Sequence, residues 1–249
     1  MLVTCRQLAT CRQLPDQLSQ IGYAWYVTAS AVVYTAITNG YAELSPHPDI
    51  PDMDFVCFSD VAIDRDDWQI RPIDASVKDL SPRMQAKFHK VFAPREYDWS
   101  IWFDGSYQLR THMEASHWIR HSLILRSPSG FGLYRHPERD CLYEEAEHAM
   151  SLPKCSGIRA LLEKQVRCYA EHGHPKSSGL WLGGALCRKR GPDIDRIMKR
   201  WWDEITRWTW RDQVSLAFVI HEAGFRPDAW DWLFERNPFT ARWRFRESA

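Results

Sequence analysis

The chain has 249 residues, 45% of them hydrophobic, with 13 tryptophans and with 32 basic residues balanced by 32 acidic ones. The length suits one large α/β domain or two small ones, and no Pro/Gly/Ser-rich linker or long charge run divides it, which favours one. The apolar share argues for a folded core, and the balanced charge excludes a nucleic-acid binder that relies on bulk positive charge, though not a local basic pocket for phosphates.

Seven cysteines (Cys5, Cys11, Cys57, Cys141, Cys155, Cys168 and Cys187) are odd in number and form no CxxC pair. That pattern fits a reduced, cytoplasmic setting and argues against a structural zinc site. No apolar run approaches the roughly 20 residues that cross a bilayer, and the N-terminus lacks the continuous apolar core of a signal peptide. No transmembrane segment is therefore expected.

In chain order, residues 1–28 carry Cys5-Arg6-Gln7-Leu8 and its echo Cys11-Arg12-Gln13-Leu14. Two copies make no repeat protein. The segment reads as an N-terminal extension of unassigned role ahead of a domain over 29–249. Ala31 to Ile37 is apolar and β-branched, a first strand that ends in the loop Thr38-Asn39-Gly40-Tyr41. A small-residue turn of this kind lets a ligand approach backbone, although no GxGxxG is present. Met53 to Phe58 reads as a second strand, closed by Ser59-Asp60. Asp60 is either a nucleotide contact or a cap for the next turn, and capping is the commoner use. Trp68 to Arg71 reads as a third short strand.

Ser81 and Pro82 open a helix as N-cap and first residue. Met84, Phe88, Val91 and Phe92 recur at helical spacing as its inner face. Arg83, Lys87 and Lys90 lie off that face, as a solvated basic side or as a diphosphate clamp. The helix leads directly into Trp99-Ser100-Ile101-Trp102-Phe103-Asp104-Gly105-Ser106, a bulky strand broken at Asp104-Gly105. In a mostly parallel sheet, ligands collect at the carboxyl ends of strands. Asp104 on such an end is placed to hold a hydrated divalent cation or a sugar hydroxyl. The plainer reading is a hairpin turn.

After Tyr107-Gln108-Leu109, a helix is expected about His112 to Ser122. Gly130 to Tyr134 reads as a strand ending at Arg135-His136-Pro137, which makes His136 a candidate metal ligand, although a lone histidine is more often hydrogen-bonded surface. Arg139 to Met150 reads as a helix with Leu142, Ala146 and Ala149 inward and Glu144, Glu145 and Glu147 mostly outward. Gly157 to Glu171 reads as another, ended by Gly173 and Pro175. His172 and His174 there suit a solvated helix end more than a metal pair. Ser178 to Leu186 is a glycine-interrupted strand, where glycine either relieves packing or lets a substrate lie against backbone.

Asp193 to Arg207 is an amphipathic helix with Ile194, Ile197, Met198, Trp201 and Ile205 inward. Trp202, Trp208 and Trp210 suit dense packing before a sugar platform. Arg211-Asp212-Gln213 then open a helix with Leu216, Ala217 and Ile220 inward. Asp212 reads as a first-turn acid favoured by the helix dipole or, with Gln213, as an acid and an amide aimed at sugar hydroxyls. No role is assigned to the aromatic, basic tail beyond Arg226-Pro227.

Several of these stretches together resemble a known group. They are Val33 to Tyr41, Phe58-Ser59-Asp60, Lys87, Ser100 to Ser106, Tyr143-Glu144-Glu145-Ala146 and Arg211-Asp212-Gln213. Over residues 31 to about 223 the chain resembles the glycosyltransferase-like family of the plant turgor-regulation-defect and mucilage-related proteins. That family is similar in turn to the family-eight glycosyltransferases. The resemblance implies a single GT-A-like α/β domain, its sheet mixed and mostly parallel and flanked by helices. It also implies transfer of a sugar from a nucleotide-sugar donor, UDP-linked by expectation, to a glycan or other acceptor in polysaccharide biosynthesis, with manganese or magnesium as cofactor.

In the wider group an Asp-x-Asp motif binds the metal and a later Asp-Gln contacts the donor sugar. Asp104 matches the first acid, Ser106 stands in place of the second, and Asp212 and Gln213 match the later pair. Asp104, Asp212 and Gln213 are thus the expected catalytic residues, and Asp104 with His136 the expected metal ligands. Thr35, Thr38, Arg83, Lys87 and Arg211 are expected to bind the donor. The family's link with ceramidase activity leaves a lipid amidase as the alternative, without a GxSxG or HExxH motif to support it. A non-catalytic carbohydrate-binding protein is the third reading.

Overall fold

Strand β1 (Ala31–Ile37) is buried along its whole length, because it has a hydrogen-bonded neighbour on each edge and side chains packed on both faces. Those neighbours, β2 (Met53–Ser59) and β4 (Trp99–Phe103), both run parallel to it. The computed structural model describes residues 30–47, 49–50, 52–109, 124, 126–230 and 239–241. The extension expected over 1–28, the helix expected about 112–122 and the tail beyond 230, apart from 239–241, lie outside them.

The remaining strands are β3 (Gln69–Pro72), β5 (Tyr107–Leu109), β6 (Phe131–Arg135), β7 (Trp181–Lys189), β8 (Asp228–Trp230) and β9 (Phe239–Ala241). The helices are α1 (Pro82–Val91), α2 (Leu142–Ser151), α3 (Arg159–Glu171), α4 (Pro192–Arg207) and α5 (Asp212–Glu222). Seven strands form one sheet in the order β3-β2-β1-β4-β7-β6-β8, and β5 pairs with β9 in a two-stranded sheet. The β2–β3, β1–β2, β1–β4 and β6–β8 pairs are parallel, and β4–β7 and β6–β7 are antiparallel. The protein is thus a single α/β domain with a mixed, mostly parallel sheet.

Alternation along the strands divides the core in two. Val32, Tyr34 and Ala36 of β1 and Trp102 of β4 point into a layer that takes buried residues from all five helices. Ala31, Val33 and Ile37, with Trp99, Ile101 and Phe103, point to the opposite layer, where Leu44, Ile50, Trp68, Leu109 and Trp230 cover them. Among the described residues the five helices that flank the sheet lie on one face. Helix α5 is apolar nearly all round, with Val214 to Ile220 buried without a break, which marks a helix inside the layer and not on its surface.

The order matters for ligands. Chain direction along the sheet reverses between β1 and β4, since β2 and β3 extend one way and β4 the other. The crevice outside the carboxyl ends at such a switch point is the usual ligand site of open α/β sheets. On the β1 side, Asn39 and Gly40 take φ of 55° and 58° and Tyr41 N–H closes the turn on the Thr38 carbonyl at 3.2 Å. Two successive left-handed residues are what Asn-Gly supplies at low cost. On the β4 side stands Asp104. The first half of β7 runs beside it, with Ala185 opposite Phe103.

Candidate functional site

Asp104 follows the last residue of β4. Its backbone N–H donates to Gly184 O at 2.7 Å, and its carbonyl accepts from Tyr107 N–H at 2.8 Å. The Asp-Gly break is therefore a tight turn, but β5 beyond it pairs with β9 and not with β4. The carboxylate is aimed by two donors on Oδ1, the Trp102 indole N–H at 2.9 Å and the Lys90 ammonium at 3.4 Å. Its side chain remains 35% exposed, so it is accessible at the carboxyl end of β4.

Lys90 is the surprise of the site. It was read as part of a solvated basic side or of a diphosphate clamp, and its side chain is only 1% exposed. The cause is the packing of α1, whose buried residues are Gln85, His89, Lys90 and Val91, so the helix presents a face turned from the one its apolar spacing suggests. Lys90 Nζ donates to Asp212 Oδ2 at 2.6 Å. Lys87, nearly one turn earlier, donates to the same oxygen at 2.7 Å. Two residues 122 and 125 positions away in sequence thus converge on one carboxylate oxygen.

The electrostatics follow from that geometry. Burial disfavours ionisation of Asp212, but Lys87 and Lys90 outweigh it and hold the carboxyl well below the usual carboxylate range. Burial likewise disfavours the Lys90 charge, and Asp104 and Asp212 overcome it and push that ammonium up. At Lys87 burial prevails and the pKa falls below the ordinary lysine value. Asp212 is an acceptor held ionised, well made for hydroxyl donors and poorly made for taking a proton.

The backbone around Asp212 is fixed too. Trp201 Nε1 donates to its carbonyl at 3.0 Å. Gln213 Nε2 reaches the carbonyl of half-buried Trp181 at 3.4 Å. Arg211 was expected to bind the donor. Its guanidinium instead binds Glu145 Oε1 of α2, while Arg139 holds Glu145 Oε2 at 3.0 Å. Glu145 was expected outward and is buried, because two guanidinium groups compensate its charge. The clamp ties the start of α5, and so Asp212 and Gln213, to α2.

The other expected residues separate. Arg83 lies on α1 one turn before Lys87, its guanidinium 4.1 Å from the Trp210 ring centroid. Thr38 donates to Pro82 O at 2.8 Å and anchors the β1 turn to the start of α1. Thr35, expected against the nucleotide, is fully buried in β1 and offers a ligand no surface. Asp60 Oδ1 accepts from Asn39 N–H at 2.7 Å, a turn-bracing use. His136 does not join Asp104. Its Nδ1 accepts from the Glu138 and Arg139 backbone N–H groups at 3.2 and 3.1 Å, and its Nε2 faces Arg139. Burial and the Arg139 charge lower its pKa. His174, expected at a solvated helix end, is buried beside Ser178, Phe218 and His221.

Sequence reasoning missed Tyr107 and the role of the β7 glycines. A Cβ added at Gly184 would lie 2.1 Å from the Tyr107 hydroxyl oxygen, and one at Gly183 would lie 3.1 Å from Lys90 Nζ. The glycines leave room for these polar groups. Burial, Asp104 and Asp212 all raise the Tyr107 pKa, so its hydroxyl stays protonated. The glycine interruption of the strand was the available signal, and it did not say which side chain needed the room.

A resident divalent cation would need several oxygen ligands. Among the described residues no group of three or more His, Cys, Asp or Glu side chains could hold one. Asp212 Oδ2 already carries two ammonium groups, Asp104 Oδ1 carries an indole and an ammonium, and His136 is turned to Arg139. The described residues do not fit a protein-held metal ion.

Fold and site define an α/β protein in which acids at the end of β4 and the start of α5 meet a basic stripe of α1 at the switch point. The family model described as TOD1/MUCI70, glycosyltransferase-like domain, matches residues 80–237. The chain belongs to this family. The matched span contains α1, Asp104, Glu145 and Asp212, and leaves β1 with Thr35 and Thr38 before it. No curated protein matches the chain. No described helix is long and apolar enough to cross a membrane.

Proposed function

We infer that the protein is a glycosyltransferase that takes a nucleotide sugar, UDP-linked by preference, and moves the sugar to a glycan or other hydroxyl acceptor. The observation that carries the reading is the meeting of Asp104 and Asp212 on one buried ammonium, Lys90, in a chain of the glycosyltransferase-like family. The crevice suits the chemistry. Glycosyl transfer builds negative charge on the departing diphosphate, and fixed cations on that side lower the barrier. In this reading Lys87 and Arg83 face the diphosphate. Asp212 and Gln213 take hydroxyls of the donor sugar, where a charge-assisted hydrogen bond orients the reacting carbon. Asp104 and the protonated hydroxyl of Tyr107 close the crevice from the β4 side.

A thermal-shift screen of nucleoside diphosphates and nucleotide sugars tests the reading. A ligand at about 100 times its dissociation constant adds roughly 2.7 kcal/mol to stability. A uridine nucleotide should give the largest shift. No shift with any nucleoside diphosphate, with or without manganese, would refute it.

A further inference from the structure

We propose that the Lys87–Lys90 ammonium pair, with Arg83 beside it, takes the place of a divalent cation, so that the donor diphosphate binds without metal. This rests on the donor reading above. The argument begins with the spacing of α1, whose positions 83, 87 and 90 follow one another at four and then three residues and so share a stripe. That stripe ends against Asp212 and Asp104.

Two of the stripe's three cations, Lys87 and Lys90, meet the two carboxylates, and Arg83 adds a third positive charge before any ligand arrives. This third charge sits at the open end. Lys90 is enclosed, Lys87 keeps 18% of its side chain exposed, and Arg83 stacks on Trp210 with no carboxylate partner among the described residues. An ammonium has three N–H donors. Lys87 spends one on Asp212, which leaves two for phosphate oxygens.

A metal would find the reverse situation. Among the described residues the two carboxylate oxygens without a hydrogen bond, Asp104 Oδ2 and Asp212 Oδ1, each belong to a group whose other oxygen already meets Lys90. A dication placed there would be repelled by the ammonium that the fold has buried. Lys90 is the cation between the two acids. Its burial against Trp201, whose ring centroid lies 5.8 Å from Nζ, fixes it in place as a bound ion would be fixed.

The test is calorimetric titration of UDP into the full chain, once in EDTA and once in excess manganese chloride. The dissociation constants should agree within about threefold, while Lys87→Met should weaken binding at least about tenfold in both media and Lys87→Arg should restore most of it. Binding seen only with manganese, or about tenfold or more tighter with it, would overturn the inference and leave the donor reading standing. An unchanged affinity in folded Lys87→Met would also overturn it. No UDP binding in either medium would refute the donor reading itself, and this inference with it.

Discussion

Asp212→Asn tests the cluster itself. The substitution keeps the shape of the side chain and removes one charge from a group that is 8% exposed and shared by two ammonium groups. Removing one partner of a buried ion pair costs about 3–5 kcal/mol, because the remaining charge is left buried without compensation. Here the lower end applies. Lys90 keeps Asp104 at 3.4 Å, and Lys87 is exposed enough to turn toward water. In a chain of this size 1 kcal/mol shifts Tm by about 2–4 °C, so a loss of about 3 kcal/mol lowers Tm by roughly 6–12 °C.

The effect carries a pH signature. Because the folded carboxyl of Asp212 titrates below its unfolded value, its contribution is fully present above about pH 4 and is lost as pH falls through the folded pKa. The gap in Tm between wild type and Asp212→Asn should therefore be constant from pH 5 to 8 and narrow in stronger acid. Scanning calorimetry at several pH values measures it. A first-turn acid that only meets the helix dipole would cost about 1 kcal/mol or less. A Tm within about 2 °C of wild type at pH 7 would refute the two-ammonium geometry. Lys90→Met in the same background gives a cross-check, since partners in one cluster are non-additive and the double variant should lose less than the sum of the singles.

Three further outcomes are expected. Gly184→Ala should force the Tyr107 hydroxyl aside, since its Cβ would lie 2.1 Å away, so overpacking should cost about 1–3 kcal/mol and sugar transfer should fall much further; unchanged transfer would remove Tyr107 from the site. Glu145→Gln leaves Arg139 and Arg211 facing a neutral amide and should lower both stability and donor turnover, while Asp140→Asn nearby serves as a control; normal turnover would show that the clamp does not position α5. Among the five described cysteines, all free, Cys168 is the partly exposed one and should react first with a thiol reagent on the native protein; faster labelling of Cys57 or Cys187 would contradict the core packing.

Most of the secondary structure was legible because buried strands and helices of this fold carry strong apolar patterns. Ala31 to Ile37 and Trp99 to Phe103 read as strands from bulk and β-branching alone, and Pro82 marks the start of α1. The two short partners β5 and β9 were not legible, since three-residue strands 130 positions apart leave no local pattern. Nor were the faces of the sheet. Periodicity says that a strand is buried on both sides and is silent on what covers each side.

The site divides in the same way. Asp104 and Asp212 stood out as acids at a strand end and a helix start, and Lys87 as a cation near them. Glu145 and His174 were assigned to solvated positions and Lys90 to a solvated basic side or a diphosphate clamp, since charged side chains are seldom fully buried unless paired. Each is buried by partners distant in sequence: Asp212 for Lys90, Arg211 for Glu145, and Phe218 and His221 for His174. Such compensation belongs to tertiary structure and leaves no trace in local spacing. Arg211 was singled out as part of a motif and expected at the donor, and in the structure its guanidinium binds Glu145.

The most direct test of the account is the release of nucleoside diphosphate from a panel of nucleotide sugars by wild type and by Asp104→Asn. The variant keeps the indole hydrogen bond from Trp102 and loses the charge facing Lys90. Wild type should release the diphosphate from at least one uridine-linked donor, and the folded variant should be slower by about 100-fold or more, as when a preorganised electrostatic contact is lost. Equal release by the two proteins, or no release from any donor by wild type, would contradict the central claim.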